Sequence, residues 1–99
     1  MAVSEADIAF ATDLFSELGS ITTRKMFGGI CLYHDGTVFA LMTSEGRLYL
    51  KAKPPLAEQL ANAGSDRFHN MPYWSLPEAA LDDPAEACSL ARETLNSLT

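Results

Sequence analysis

The stretch from residue 29 to residue 52, GICLYHDGTVFALMTSEGRLYLKA, decides the fold. It holds three runs rich in β-branched, aromatic and aliphatic residues, separated by Asp35-Gly36 and Glu45-Gly46. Asp-Gly between such runs is a strong hairpin signal, because the turn that matches the twist of two strands needs positive φ at both central residues. Residues paired across a hairpin share a face of the sheet, and successive residues alternate between faces. A two-residue Asp35-Gly36 loop pairs His34 with Thr37, Leu32 with Phe39 and Ile30 with Leu41. A two-residue Glu45-Gly46 loop pairs Thr43 with Leu48, Leu41 with Leu50 and Phe39 with Ala52. The two registers agree with each other. They predict one face of Ile30, Leu32, Phe39, Leu41, Leu48 and Leu50, which is the expected core and needs helices to cover it. The other face, with Cys31, Tyr33, Val38, Ala40, Met42, Arg47, Tyr49 and Lys51, is apolar and aromatic at its centre and basic at one side.

Working outward, the β-branched and aromatic pattern begins at Ile21, and Gly28-Gly29 reads as a strand-to-strand bend. Upstream, Ser4 is an N-cap, with Ile8, Ala11, Leu14, Phe15 and Leu18 at helical spacing, so the pattern predicts a helix over about residues 4 to 18 with Gly19 as its stop. Downstream, Pro54-Pro55 ends the sheet run and opens a short helix over Leu56, Ala57, Leu60 and Ala61, closed by Gly64. One more edge strand is expected near Tyr73 to Leu76 before Pro77. Asp83 then caps a last helix, with Pro84 at its first position, Glu86 placed as in a capping box and Ala87, Leu90, Ala91, Leu95 and Leu98 on one face. The order is α-β-β-β-β-α-β-α: an α+β, two-layer fold with one antiparallel sheet and helices packed on one face, expected as a single domain over residues 1–99.

Composition bounds the function. Ninety-nine residues, 47% hydrophobic and 20% charged, are enough to bury a core without metal or disulfides. The start MAVSEADIAF carries acids where an export signal needs a basic start and an apolar core, and the apolar runs are short, so a cytoplasmic chain with no membrane insertion is expected. Two cysteines, Cys31 and Cys88, fit buried thiols better than a disulfide framework. The net charge of -6 argues against a generic nucleic-acid binder. Residues 21–53 nevertheless carry Arg24, Lys25, Arg47, Lys51 and Lys53 against only Asp35 and Glu45, so the middle of the chain is basic relative to its ends.

The residue types that carry chemistry do not assemble into a motif. Cys31, His34, His69 and Cys88 are the soft or imidazole ligands. Cys31 and His34 lie three apart on one strand, which sends them to opposite faces, and a second close ligand pair is lacking, so no metal and no cofactor are expected. His34 beside the hairpin turn reads as an exposed turn residue, and Asp82-Asp83 as helix-capping acids. Neither a nucleophile elbow nor a phosphate loop is present, so no catalytic residues are assigned and a non-enzymatic role is expected. The surface of interest is the second sheet face, with Arg24, Tyr33, Val38, Met42, Arg47, Tyr49 and Lys51 as the candidate interaction residues. A second copy of the chain or another protein is the expected partner. The alternative is a nucleic acid or acidic ligand held by the basic sheet region.

The segment Gly19 to Gly29, GSITTRKMFGG, resembles the opening motif of the TfoX (Sxy) N-terminal domain family, in which a helix runs into a strand of the form RxMFGG. Leu32-Tyr33, the Asp35-Gly36 turn, Phe39-Ala40-Leu41, Leu48-Tyr49-Leu50-Lys51, Met71-Pro72-Tyr73-Trp74 and the last helix opened by Asp83-Pro84 follow in the family's order. The resemblance implies helices against an antiparallel sheet. It further implies kinship with bacterial competence regulators that act on transcription with the cyclic-AMP receptor protein. Full-length members carry a second, helical domain, for which this chain leaves no room, so a stand-alone N-terminal domain is expected. The segment between Phe68 and Met71 is shorter than the family commonly has, which implies a reduced hairpin there. Of the motif residues Arg24, Met26, Phe27, Gly28, Gly29, Tyr73 and Trp74, the central four are expected to serve mainly the fold, the glycines at the bend and Phe27 as a plug beside them.

Overall fold

A computed structural model describes residues 4–26, 28–69 and 71–98. The chain runs through α1 (Glu5–Leu14), a 3-10 turn (Ser16–Leu18), β1 (Ile21–Met26), β2 (Gly29–His34), β3 (Thr37–Met42), β4 (Leu48–Lys51), α2 (Leu56–Asn62), β5 (Tyr73–Ser75), α3 (Glu78–Leu81) and α4 (Pro84–Leu98). Each strand pairs antiparallel with the next, giving a five-stranded meander in the order β1-β2-β3-β4-β5. This is the expected α+β arrangement, with α3 as an additional single turn after Pro77. Residues of α1, α2 and α4 pack on one face of the sheet, where Ala11, Leu14, Phe15, Leu56, Leu60, Ala87 and Ala91 join the strand side chains in one buried cluster.

Local chemistry sets the ends of the elements. The Ser4 hydroxyl accepts from the Asp7 amide at 3.1 Å and starts α1. The helix ends at Leu14 rather than at residue 18, because the chain tightens there and turns Phe15 inward. Phe15 is fully buried and meets Phe39 edge-on, with ring centroids 5.1 Å apart. Asp83 caps α4 through its Oδ1, which accepts from the Ala85 and Glu86 amides.

The sheet register differs from the expected one at two points. Tyr33 pairs with Val38 and Leu32 with Ala40, so Phe39 is the extra residue of a β-bulge. At the second hairpin the Thr43 amide donates to the Arg47 carbonyl at 2.9 Å, which makes Ser44-Glu45-Gly46 a three-residue loop with Gly46 at φ 82°. Each departure displaces the pairing by one residue, and for β4 the two add: Ile30 aligns across Met42 with Leu48 instead of across Leu41 with Leu50, an even shift of two residues that preserves the face. β2 and β4 therefore keep their expected faces, whereas the end of β3 is turned over. Ala40 and Met42 face the core, with Met42 only 1% exposed, and Leu41 faces outward between Cys31 and Tyr49. Phe39 stays in the core because a bulge lets two consecutive side chains serve one face.

The glycines of the first bend have separate reasons. Gly28 sits at φ 82°, in the left-handed region. At Gly29 a Cβ would collide with the backbone carbonyl oxygen of Met42, so the first residue of β2 is held against the end of β3 by the absence of a side chain. Phe27, expected to plug this corner, lies outside the described residues.

Three substitutions test this account by urea denaturation. Gly29→Ala is expected to cost about 2 kcal/mol or more, since the clash is with backbone. Gly36→Ala, at φ 81° with open space around it, should cost about 1 kcal/mol from the left-handed conformation alone. Thr94 is fully buried and its Oγ1 has no hydrogen-bond partner, so Thr94→Val should stabilise by about 1 kcal/mol.

Candidate functional site

The sheet face away from the helices is built by strand alternation. Thr22 and Arg24 of β1 stand opposite Tyr33 and Cys31 of β2, and Val38 stands opposite Tyr33. Leu41 lies between Cys31 and Tyr49, and Lys51 stands opposite Tyr73. The Arg47 guanidinium lies 5.4 Å from the centroid of the Tyr49 ring. The structure thus gathers Arg24, Tyr33, Val38, Arg47, Tyr49, Lys51 and Tyr73 on one face. Met42 is the exception among the expected interaction residues, for the register reason given above. Trp74 points to the other side and packs against the core.

This face is not bare, as a two-layer fold would suggest. Residues 66–68 pair with β5 as the other arm of a hairpin and bring Phe68 over this face. The Phe68 amide donates to the Tyr73 carbonyl at 2.8 Å, the Ser75 amide to the Asp66 carbonyl at 2.9 Å, and Arg67 bridges to Trp74. The hairpin is thus short, a single bridge between Arg67 and Trp74 flanked by these two backbone hydrogen bonds. It sets the Phe68 ring 5.0 Å from Tyr49 and leaves Tyr49 only 7% exposed. What stays open is a groove of about 300 Å³ at the β1–β3 end of the face. Cys31 and Leu41 form its floor, Phe68 one wall, and Met26 and Met71, each 45% exposed, its lips. Leu41, Phe68 and Met71 were absent from the expected interaction set. The signal available for the last two was the presence of large apolar residues in an otherwise polar connection.

Arg24 and Arg47 on this face are tied to neighbours, as is Arg67 on the Trp74 side. Arg24 lies 5.8 Å from the Tyr33 ring centroid. Arg47 donates to Asp66 at 2.7 Å, and that hydrogen bond, followed by its proximity to Tyr49, raises the guanidinium above its ordinary value. Both partners are solvent-exposed, so the pair orients more than it stabilises. Arg67 donates from Nε to the Met71 carbonyl at 3.1 Å and lies over the Trp74 ring.

Neither cysteine is an activated nucleophile. Burial pushes the Cys31 thiol up, and its Sγ lies 3.8 Å from Met26 Sδ. Cys88 is fully buried, its Sγ donates to the Leu14 carbonyl at 3.4 Å, and burial again raises it. Tyr73 is raised by burial and then by Cys31 and Tyr33. His34, expected to be exposed, is instead half-buried. Its Nε2 lies 2.9 Å from the Leu18 carbonyl, which can only accept, so that nitrogen carries the proton. This hydrogen bond fastens the 3-10 turn to the first hairpin, beside an open hollow of about 380 Å³ that also touches Arg92 and Asn96. His69 is exposed, with its ring against Phe68. Among the described residues no three His, Cys, Asp or Glu side chains converge to hold a metal ion, and no helix is long and apolar enough to cross a membrane.

Comparison with known proteins agrees with this architecture. The family model of the TfoX N-terminal domain matches residues 13–98. The DNA transformation protein TfoX1 of Aliivibrio fischeri is 27% identical over 89 residues, a stretch that covers 82% of this chain and 42% of that protein. The chain thus spans less than half the length of this relative.

The buried thiols give a pH test. A thiol raised in the folded state ionises first in the unfolded chain, so stability is unaffected below the unfolded thiol range and falls as pH rises above it. The melting temperature is expected to decline between pH 8 and roughly 10.5, and less steeply in Cys88→Ala than in the unaltered chain. Thiol reagents should modify both cysteines at least about tenfold more slowly in the native protein than in denaturant.

Proposed function

The chain belongs to the TfoX N-terminal domain family, and from that premise we propose that it is a non-enzymatic, cytoplasmic regulatory module that works through protein contacts on its outer sheet face. The observation that carries this reading is the groove between Met26 and Met71. Two half-exposed methionines flank an apolar floor of Cys31 and Leu41 on the face that the helices leave free. Methionine-lined grooves suit protein partners because an unbranched, polarisable side chain adapts to the apolar group it meets. Arg24, Tyr33, Val38 and Lys51 continue the surface away from the groove. The relative is named for DNA transformation, and a role in controlling such genes through a protein partner or a second copy of the chain is the reading that family membership supports.

Direct nucleic-acid binding ranks second. A base-stacking platform needs exposed rings, whereas Tyr49 and Tyr73 are covered. A phosphate-gripping patch needs free cations, whereas Arg47 is engaged by Asp66.

The test uses the purified chain alone and with the cyclic-AMP receptor protein. Light scattering across a wide concentration range is expected to show a dimer, or amide-resolved NMR to show a partner-induced perturbation centred on Cys31, Tyr33 and Leu41. Tyr33→Glu and Met71→Glu, both at accessible positions, should weaken that association about tenfold or more, in line with loss of interface anchors. A monomer at all concentrations with no perturbation by the receptor protein would overturn the reading.

A further inference from the structure

The two edges of the sheet are treated differently by the chain. The β5 edge is closed by residues 66–68 through the bonds from Phe68 and Ser75. The β1 edge has only β2 beside it among the described residues. It is regular over all six pairs from Ile21–His34 to Met26–Gly29, with neither proline nor bulge, and Thr22, Arg24, Lys25 and Met26 are exposed. Such a strand leaves alternate backbone amides and carbonyls without partners and serves as a template for another strand.

The charge on this edge selects the occupant. Residues 21–26 contain Arg24 and Lys25 and no acid, in a chain of net charge -6. A second copy of β1 is disfavoured. An antiparallel pair of β1 strands that keeps like faces together, centred on Arg24, sets Arg24 against its own mate. Centred on Lys25 it does the same for Lys25, and centred on Thr23 it leaves the two Arg24 side chains diagonal neighbours. Like charges so placed are destabilising. Arg24 projects to the outer face and Lys25 to the helix side, so an added strand meets one cation on each of its faces.

We propose that β1 accepts an extended acidic segment of a partner protein as a sixth strand, with adjacent acidic residues set against Arg24 and Lys25. The docked strand runs past Met26, which ends β1 and forms one lip of the groove, so an apolar residue following the acids reaches the groove. This inference rests on the protein-contact reading only in that the partner is a protein; it places the contact on a strand edge rather than on the groove.

The test is a peptide titration followed by NMR. The probe is a capped eight-residue peptide of alternating valine and threonine with two adjacent glutamates at its centre. Its controls carry two lysines there, or a backbone N-methylated on alternate residues. The glutamate peptide is expected to shift the amides of Thr22 to Met26 and slow their exchange with solvent. The lysine and N-methylated peptides should bind at least tenfold more weakly. The double variant Arg24→Glu with Lys25→Glu should reverse the preference between glutamate and lysine. Met71→Glu should leave the effect on β1 intact, which separates failure of the groove from failure of the edge. Equal binding of the glutamate and lysine peptides, shifts located away from β1, or a β1–β1 dimer in light scattering that Lys25→Pro abolishes would each overturn the proposal.

Discussion

The bulge at Phe39 is the constraint on which the rest of the structure depends. β3 is the middle strand of the meander, and its extra residue allows Phe39 and Ala40 to serve the core together. Phe39 meets Phe15 edge-on, which draws the end of α1 inward, stops that helix at Leu14 and leads into the 3-10 turn that His34 fastens from the hairpin side. Full burial of a phenylalanine is worth about 1.5–3 kcal/mol, more than the few residues of helix forgone after Leu14 would supply by propensity alone. The bulge also turns the end of β3 over. Met42 goes into the core while its carbonyl lies against Gly29, and Leu41 goes out to the floor of the groove.

The outer face is shaped by a second economy. A small sheet with helices on one side has an aromatic surface to cover on the other, and the chain covers Tyr49 there with its own Phe68. Phe68 lies on Tyr49, Arg47 reaches across to Asp66, and Arg67 holds the Met71 carbonyl. These ties are individually weak because they are exposed, but they act together with the bridge from Arg67 to Trp74 and the two backbone hydrogen bonds beside it. Among the described residues this face keeps an apolar groove and the β1 edge open, and the two lie next to each other because Met26 belongs to both. A partner strand on the edge and an apolar anchor in the groove would bury a continuous surface rather than two separate ones.

Much of this was legible in the sequence for identifiable reasons. Asp35-Gly36 fixes a hairpin because positive φ is needed at both positions, and the structure has φ 50° and 81° there. Ser4 and Asp83 announce helix starts because a side-chain oxygen satisfies amides that the helix cannot. Glu45-Gly46 misled because glycine at the left-handed position serves a two-residue and a three-residue loop equally well. The bulge left no local mark, since Val38-Phe39-Ala40 reads as an ordinary strand. For β4 the two errors add to a displacement of two residues, which leaves its face unchanged, and that is why a register that agreed with itself was still wrong for β3.

By itself the sequence determined the α+β class, the element order, the antiparallel meander and the family motif, because these follow from turn chemistry, capping and the period of apolar residues, all of which are local. The tertiary structure alone decided which side of the sheet Met42 and Leu41 occupy, that Phe68 shelters Tyr49, and that a groove lies between Met26 and Met71. These depend on pairings between residues far apart in the chain, where a shift of one position reverses a face and no nearby residue records the choice.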